Sequence, residues 1–284
     1  MEERVFLNGS LVTREEARIS VDDRGLLFGD GLFETMRSYG GKVFRMDRHL
    51  RRLFDSLETV RICLPYDTKE IEEAVYATIR ANHLPDAYVR LTITRGVGVR
   101  GIDPPENPCP TIVIVARELI PYSAHLYHAG MKVGIARNAR SLPSPLSRLK
   151  SLNFLGNILA RIEARERGMD EAILLNSKGF VSEGTVSNVF LVREGILTTP
   201  DEESGILPGI TRETILDMAR EKRIGLEERL VNTAELFEAE EIFLTNTLME
   251  IMPVSELDGV RVGKDIPGAL TCTFMDGYSR RVRR

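Results

Sequence analysis

Leu50, Leu53, Phe54 and Leu57 recur at spacings of three and four, so a single apolar stripe predicts a helix over about 47–60. The same period predicts helices over about 68–82, 154–167 and 211–222, the second of these stopping at Gly168, a residue suited to a helix C-terminus. Elsewhere the period is that of strands. Val5-Phe6-Leu7, Asn8-Gly9 and Leu11-Val12 read as strand, tight turn and strand, because Asn-Gly tolerates the positive φ that a two-residue hairpin needs. Residues 33–38, Gly40-Gly41 and 42–45 repeat that signature. Runs rich in β-formers follow at 87–94, 111–117, 132–136, 171–175, 188–192 and 241–245. This mixture predicts an α/β chain: a small α+β N-terminal domain over 1–119, a linker over 120–130, and a larger α/β C-terminal domain over 131–284. A length of 284 residues suits two cores of ordinary size.

Composition narrows the classes. Hydrophobic content of 43% and charged content of 28% are those of a globular protein. A net charge of −4 argues against nucleic acid as a partner, and the Arg280, Arg281, Arg283, Arg284 tail reads as a solvated, frayed end. No run approaches the roughly 18 apolar residues of a membrane span, and Met-Glu-Glu-Arg does not open a signal peptide. No membrane partner and a cytoplasmic location are expected. Cys63, Cys109 and Cys272 are odd in number and far apart, which implies neither a disulfide framework nor a zinc site. His125 and His128 have a metal-compatible spacing but no third ligand nearby, and read as solvated linker residues. No metal is expected.

Gly96-Val97-Gly98-Val99-Arg100-Gly101 matches the glycine spacing of a dinucleotide fingerprint. The helix that must follow cannot form, because three prolines lie within 102–108. The glycines instead shape a loop that presents Arg100.

Lys150 is one of only seven lysines and lies in Ser147-Arg148-Leu149-Lys150-Ser151-Leu152-Asn153-Phe154-Leu155-Gly156-Asn157, between leucines and with no carboxylate within four positions. Desolvation favours a neutral amine, which suits a nucleophilic, Schiff-base lysine. The alternative is a lysine that lays its stem on apolar surface and keeps its head in water. Other segments favour the first reading. Ser182-Glu183-Gly184-Thr185-Val186-Ser187-Asn188 puts a carboxylate in a turn between two strands, where it could keep the nitrogen of a pyridoxal phosphate ring protonated. Leu207-Pro208-Gly209-Ile210-Thr211-Arg212 is a loop opening onto a helix, whose free N–H groups suit a phosphate. Thr245-Asn246-Thr247 ends a strand with further donors, and Arg52 in His49-Leu50-Arg51-Arg52-Leu53 offers a fixed cation.

In this order, these blocks resemble the class IV, or fold type IV, pyridoxal-phosphate aminotransferases, a family that includes branched-chain aminotransferases, D-amino-acid transaminases and aminodeoxychorismate lyases. The likeness runs from Asp23-Arg24-Gly25 and Phe28-Gly29-Asp30-Gly31-Leu32-Phe33-Glu34 to Met249-Glu250-Ile251-Met252-Pro253-Val254. It implies Lys150 as the internal aldimine and proton shuttle, and Glu183 on the pyridine nitrogen. It also implies Arg52, Ile210, Thr211 and Thr247 on the phosphate, Leu207 against the ring, and Ser187 and Asn188 in the same cofactor site. Phe154 stands where many relatives carry a tyrosine reaching the cofactor oxygen, with Asn153 or a water as substitute. The substrate positions are Phe33, Thr35, Arg37, Tyr88, Arg90 and Arg100. Tyr88-Val89-Arg90 and Arg37 resemble branched-chain aminotransferases, where Thr35 replaces a glycine. Arg100 resembles the carboxylate-trapping arginine of D-amino-acid transaminases, although Ile102 replaces their histidine. The resemblance thus implies a transaminase acting on branched-chain L- or D-amino acids and a 2-oxo acid, usually a homodimer. A pyruvate-eliminating lyase is the alternative, and a non-catalytic metabolite-binding protein is a remote one.

Overall fold

The computed structural model describes residues 2–98, 101–137 and 145–283. The chain forms two compact units, Met1–Ile120 with Leu149–Asn153, and Pro121–Arg148 with Phe154–Arg284.

The first unit contains β1 (Arg4–Leu7), β2 (Ser10–Thr13), α1 (Arg24–Phe28), β3 (Gly31–Tyr39), β4 (Lys42–Val43), α2 (Met46–Thr59), α3 (Thr68–Ala81), β5 (Ala87–Thr94) and β6 (Thr111–Glu118). Its six-stranded antiparallel sheet has the order β2-β1-β6-β5-β3-β4. Asn8 and Gly9 take φ of 46° and 95°, as the hairpin signature requires. Strand alternation gives the sheet two unlike faces. Leu32, Met36, Val89, Leu91 and Ile93 pack with Leu50, Leu53 and Leu57 of α2 and Ile71, Val75 and Ile79 of α3 in one core. The other face carries Phe33, Thr35 and Arg37, opposite Thr92, Arg90 and Tyr88 in register. A reciprocal capping box between Asp67 and Glu70 starts α3.

Among the described residues no helix follows Gly96 before β6. Instead, Arg24, buried and paired with Asp30 at 2.8 Å, donates to the carbonyls of Gly101, Ile102 and Asp103, which holds the proline-rich loop against α1.

The second unit contains α4 (Ala124–Ala129), β7 (Met131–Ile135), α5 (Leu155–Glu166), β8 (Glu171–Leu175), β9 (Val181–Gly184), β10 (Asn188–Arg193), β11 (Ile196–Pro200), α6 (Ile210–Glu221), β12 (Leu226–Arg229), α7 (Thr233–Phe237), β13 (Glu241–Asn246), β14 (Glu250–Leu257), β15 (Val260–Arg261) and α8 (Ala269–Val282). Nine strands form a mixed sheet of order β12-β11-β10-β13-β14-β7-β8-β9, with β15 beside β14. The parallel pairs are β11/β12, β14/β7 and β7/β8.

Two segments differ from expectation. Residues 120–130 hold α4, which packs on β14, and the hydroxyl of Tyr127 donates to the carbonyl of Met249 at 3.1 Å. His125 and His128 lie on that helix, where both are exposed, as expected of solvated residues. The arginine tail is not frayed through its length: Arg280 and Arg281 belong to α8, where Phe274 and Tyr278 are fully buried and Arg281 pairs with Glu221. Among the described residues no helix is long and apolar enough to cross a membrane.

Candidate active site

Lys150 belongs to the first unit. Its carbonyl accepts from the N–H of Phe33 at 2.9 Å, the N–H of Leu152 donates to the carbonyl of Gly31 at 3.0 Å, and Ser151 bridges to Leu32. The lysine block therefore lies as a short extended segment along the start of β3. Its amine stands 4.7 Å from the ring centroid of Phe33, and the guanidinium carbon of Arg90 stands 3.9 Å from the same centroid. Both lie within the range of a cation–π contact. Arg90 donates to Thr92 Oγ1 at 3.3 Å, and among the described residues no carboxylate pairs with it. Arg37 stacks over Tyr39 with 4.4 Å from carbon to centroid, and Tyr88 lies opposite it in register. Phe33, Thr35, Arg37, Tyr88 and Arg90 thus occupy one sheet face. Arg100 lies outside the described residues.

Behind that face, Arg52 of α2 gives Nε to Glu34 Oε1 at 2.8 Å and Nη2 to Oε2 at 2.7 Å. The Nδ1 of His49, one helical turn earlier, is 2.7 Å from the same Oε2. Burial pushes the Glu34 carboxyl up, but the charge of Arg52 and the hydrogen bond from His49 outweigh it and hold the group at about 2. Burial pushes His49 down, with the charges of Arg52 and Lys150 adding to it and Glu34 opposing.

The second unit gathers the remaining residues. Glu183 lies at the end of β9, not in a turn, and is buried. Its Oε2 accepts from the N–H of Leu207 at 2.9 Å and from Asn188 Nδ2 at 3.4 Å. Asn188 Nδ2 also donates to the carbonyl of Leu207 at 2.9 Å. Asn188 pairs with Thr245 across β10 and β13, which brings the Thr245-Asn246-Thr247 turn beside this cluster. Asn246 holds the turn: its Oδ1 accepts from the N–H groups of Leu248 and Met249, and its amide donates to the carbonyl of Val186 at 3.1 Å. Thr247 is half-buried. Ile210 and Thr211 are buried in the first turn of α6, whose N-cap, Gly209, offers no side-chain cap. A Cβ on Gly209 would meet Asn188 Oδ1 at 2.1 Å. The buried hydroxyls of Ser187 and Thr245 have no hydrogen-bond partner among the described residues.

Three further residues were not singled out as site residues. Glu34 is a charge at a core-facing strand position, His49 lies three residues before Arg52, and Glu171 holds the turn after Glu183 by accepting from Thr185 Oγ1 at 2.5 Å. The signal for Glu34 was its alternation with Leu32 and Met36. Nothing local points to Glu171. Asn153, a suggested substitute for the missing tyrosine, gives its amide to the carbonyl of Gly29 at 3.2 Å, and Phe154 precedes α5.

The family described as amino-transferase class IV matches residues 31–257. A Methanocaldococcus jannaschii protein assigned provisionally as a branched-chain-amino-acid aminotransferase is 42% identical over 270 residues, 94% of this chain and 92% of that protein. The D-alanine aminotransferase of Listeria monocytogenes is 32% identical, covering 99% of this chain and 96% of its own. Among solved structures, a T.th. branched-chain amino acid aminotransferase with pyridoxamine 5'-phosphate superposes with a TM-score of 0.93 at 29% identity, over 100% of this chain and 96% of that one. The 4-amino-4-deoxychorismate lyase of Pseudomonas aeruginosa does so with 0.88 at 32% identity, over 99% and 100%. Two mixed α/β units of this kind are the architecture of a fold type IV enzyme, and the chain belongs to the class IV aminotransferase family.

Proposed function

We propose that this aminotransferase uses pyridoxal 5'-phosphate to move an amino group between a branched-chain L-amino acid and a 2-oxo acid. The observation that carries this reading is the pairing of Lys150 and Arg90 on the ring of Phe33, which joins a candidate nucleophile to a candidate carboxylate-binding cation. The 42% identity to the M. jannaschii protein favours branched-chain donors.

The residues present fit the cofactor. An uncapped helix N-terminus at Gly209, with Ile210 and Thr211 in its first turn, suits a phosphate. Two buried hydroxyls in the second unit await partners among the described residues, and Glu183 is held as a carboxylate acceptor. The cofactor supplies an aldehyde joined to an electron-withdrawing ring. Lys150 Nζ would provide the amine for that aldehyde and the base that moves the α-proton. Glu183 would keep the ring nitrogen protonated, with Ser187 and Asn188 in the same polar cluster. Arg52, Ile210, Thr211 and Thr247 would hold the phosphate, and Leu207 would lie against the ring. Arg37, Tyr88, Arg90 and Arg100 receive the substrate carboxylate beside Phe33 and Thr35.

We infer further that two chains assemble as a homodimer. Leu155, Ile158, Leu159 and Ile162 form an exposed stripe at helical spacing on α5, an arrangement that favours cover by a second copy.

A second reading takes D-amino acids as donors, favoured by the Listeria relative, and a third eliminates pyruvate as the lyase does. Purified protein should show a visible absorbance band that borohydride bleaches, with the added mass on the peptide containing Lys150. A panel of L- and D-amino acids with 2-oxoglutarate and pyruvate, together with aminodeoxychorismate, then decides among the readings. Absence of the adduct on Lys150 overturns all three.

A further inference from the structure

Glu34 occupies an unfavourable place for a charge. It is 1% exposed, on the face of β3 that carries Leu32 and Met36 into the core. Taking a carboxylate out of water costs several kcal/mol, and a buried ion pair seldom stabilises more than apolar side chains of the same volume would. Stability therefore does not account for the trio, and its geometry does. A guanidinium is planar, so binding its Nε–Nη2 edge to both oxygens of one carboxylate fixes the direction of the remaining nitrogen. His49 completes the lock. Its neutral ring must carry the proton on Nδ1 to donate to Glu34 at 2.7 Å, which removes the carboxylate's freedom to rotate about its own axis. The cost of that arrangement remains visible: His49 Nε2 is buried without a hydrogen-bond partner among the described residues.

We propose that Glu34 and His49 are positioning residues that orient the Arg52 guanidinium toward the phosphate of the bound cofactor. Neither touches the cofactor itself. This inference rests on the proposed role of Arg52.

Charge and orientation make opposite predictions. Removing the negative charge beside Arg52 would, by charge alone, strengthen its hold on an anion. Loss of orientation weakens it. The test titrates the apo chain with pyridoxal phosphate and with pyridoxal, which lacks only the phosphate, and reads the ratio of the two dissociation constants. Glu34→Gln and His49→Leu are expected to reduce the preference for the phosphorylated compound about tenfold, while pyridoxal binds as before. His49→Asn, which keeps a donor near the place of Nδ1, should restore most of it. An unchanged or increased preference, or equal weakening of both compounds, overturns the proposal. If Glu34→Gln does not fold, His49→Leu decides by the same ratio. Arg52→Gln separates the two levels of the reading. If it leaves the ratio at its starting value, Arg52 is not the phosphate cation; if it alone lowers the ratio, only the positioning role fails.

Discussion

Asn188 donates one amide group to both the carbonyl of Leu207, at 2.9 Å, and the carboxylate of Glu183, at 3.4 Å. One side chain at the start of β10 thereby ties the end of β9 to the loop that opens α6. Asn188→Ala would leave the partly buried Leu207 carbonyl unsatisfied and remove one of the donors to the Glu183 carboxylate, a loss of about 1–3 kcal/mol. Thermal unfolding of the apo protein should show a lower midpoint. Asn188→Asp should lower it further, because it sets a like charge against Glu183.

Gly209 sits where that amide approaches the helix. An added Cβ lies 2.1 Å from Asn188 Oδ1, and the amide cannot retreat without releasing Leu207 and Glu183. Gly209→Ala should therefore weaken cofactor binding by about tenfold or more, measured by fluorescence titration, while far-UV circular dichroism stays unchanged. Undiminished affinity would show that this helix start is not used.

Acid should destabilise the first unit in two steps. His49 is pushed below its ordinary 6.5 in the folded chain, chiefly by burial, so below about 6.5 the unfolded chain takes up a proton that the folded one refuses, and stability falls. Glu34 is held at about 2 against an ordinary 4.5, so its contribution is complete above 4.5 and disappears as pH falls through about 2. Urea midpoints measured from about pH 7 to 4 should decline, and His49→Leu should flatten the decline between about 6.5 and 5.

Leu159 lies in the middle of the exposed α5 stripe. Leu159→Glu should shift the sedimentation of the protein from twice the 31.9 kDa chain mass toward that of one chain. A wild-type protein that already sediments as one chain would remove the dimer inference.

Thr35 faces the same side of the sheet as Arg90, its partner in register. Thr35→Gly should enlarge the space beside Phe33 and raise kcat/KM for leucine relative to alanine by about tenfold, the usual worth of one or two methylene groups in an apolar pocket. No change in that ratio would place the substrate side chain elsewhere.

Much of the fold could be read locally. The run predicted over 87–94 is β5, Ala87–Thr94, and the helix predicted over 68–82 is α3, Thr68–Ala81. These elements declare themselves because alternation or a three-four stripe records burial within the segment itself. α8 passed unread because the positions it buries include Thr271 and Gly277, which break the apolar period. Gly277 is small for a reason found only in three dimensions: a Cβ there would meet Met218 Cε at 2.2 Å.

The candidate site divides along the same line. Residue chemistry and order in the chain singled out Lys150, Glu183, Arg52 and the Leu207–Thr211 loop, since a lysine among apolar neighbours, a lone carboxylate and a helix start are visible one at a time. Folding decided which of them share a surface. Lys150 joins the first unit because Ser151 pairs with Leu32, far away in the chain, and Glu34 meets Arg52 because a strand turns that residue inward against a helix. Backbone pairing and burial over such separations depend on loop closure and packing, and neither leaves a mark in the neighbouring residues.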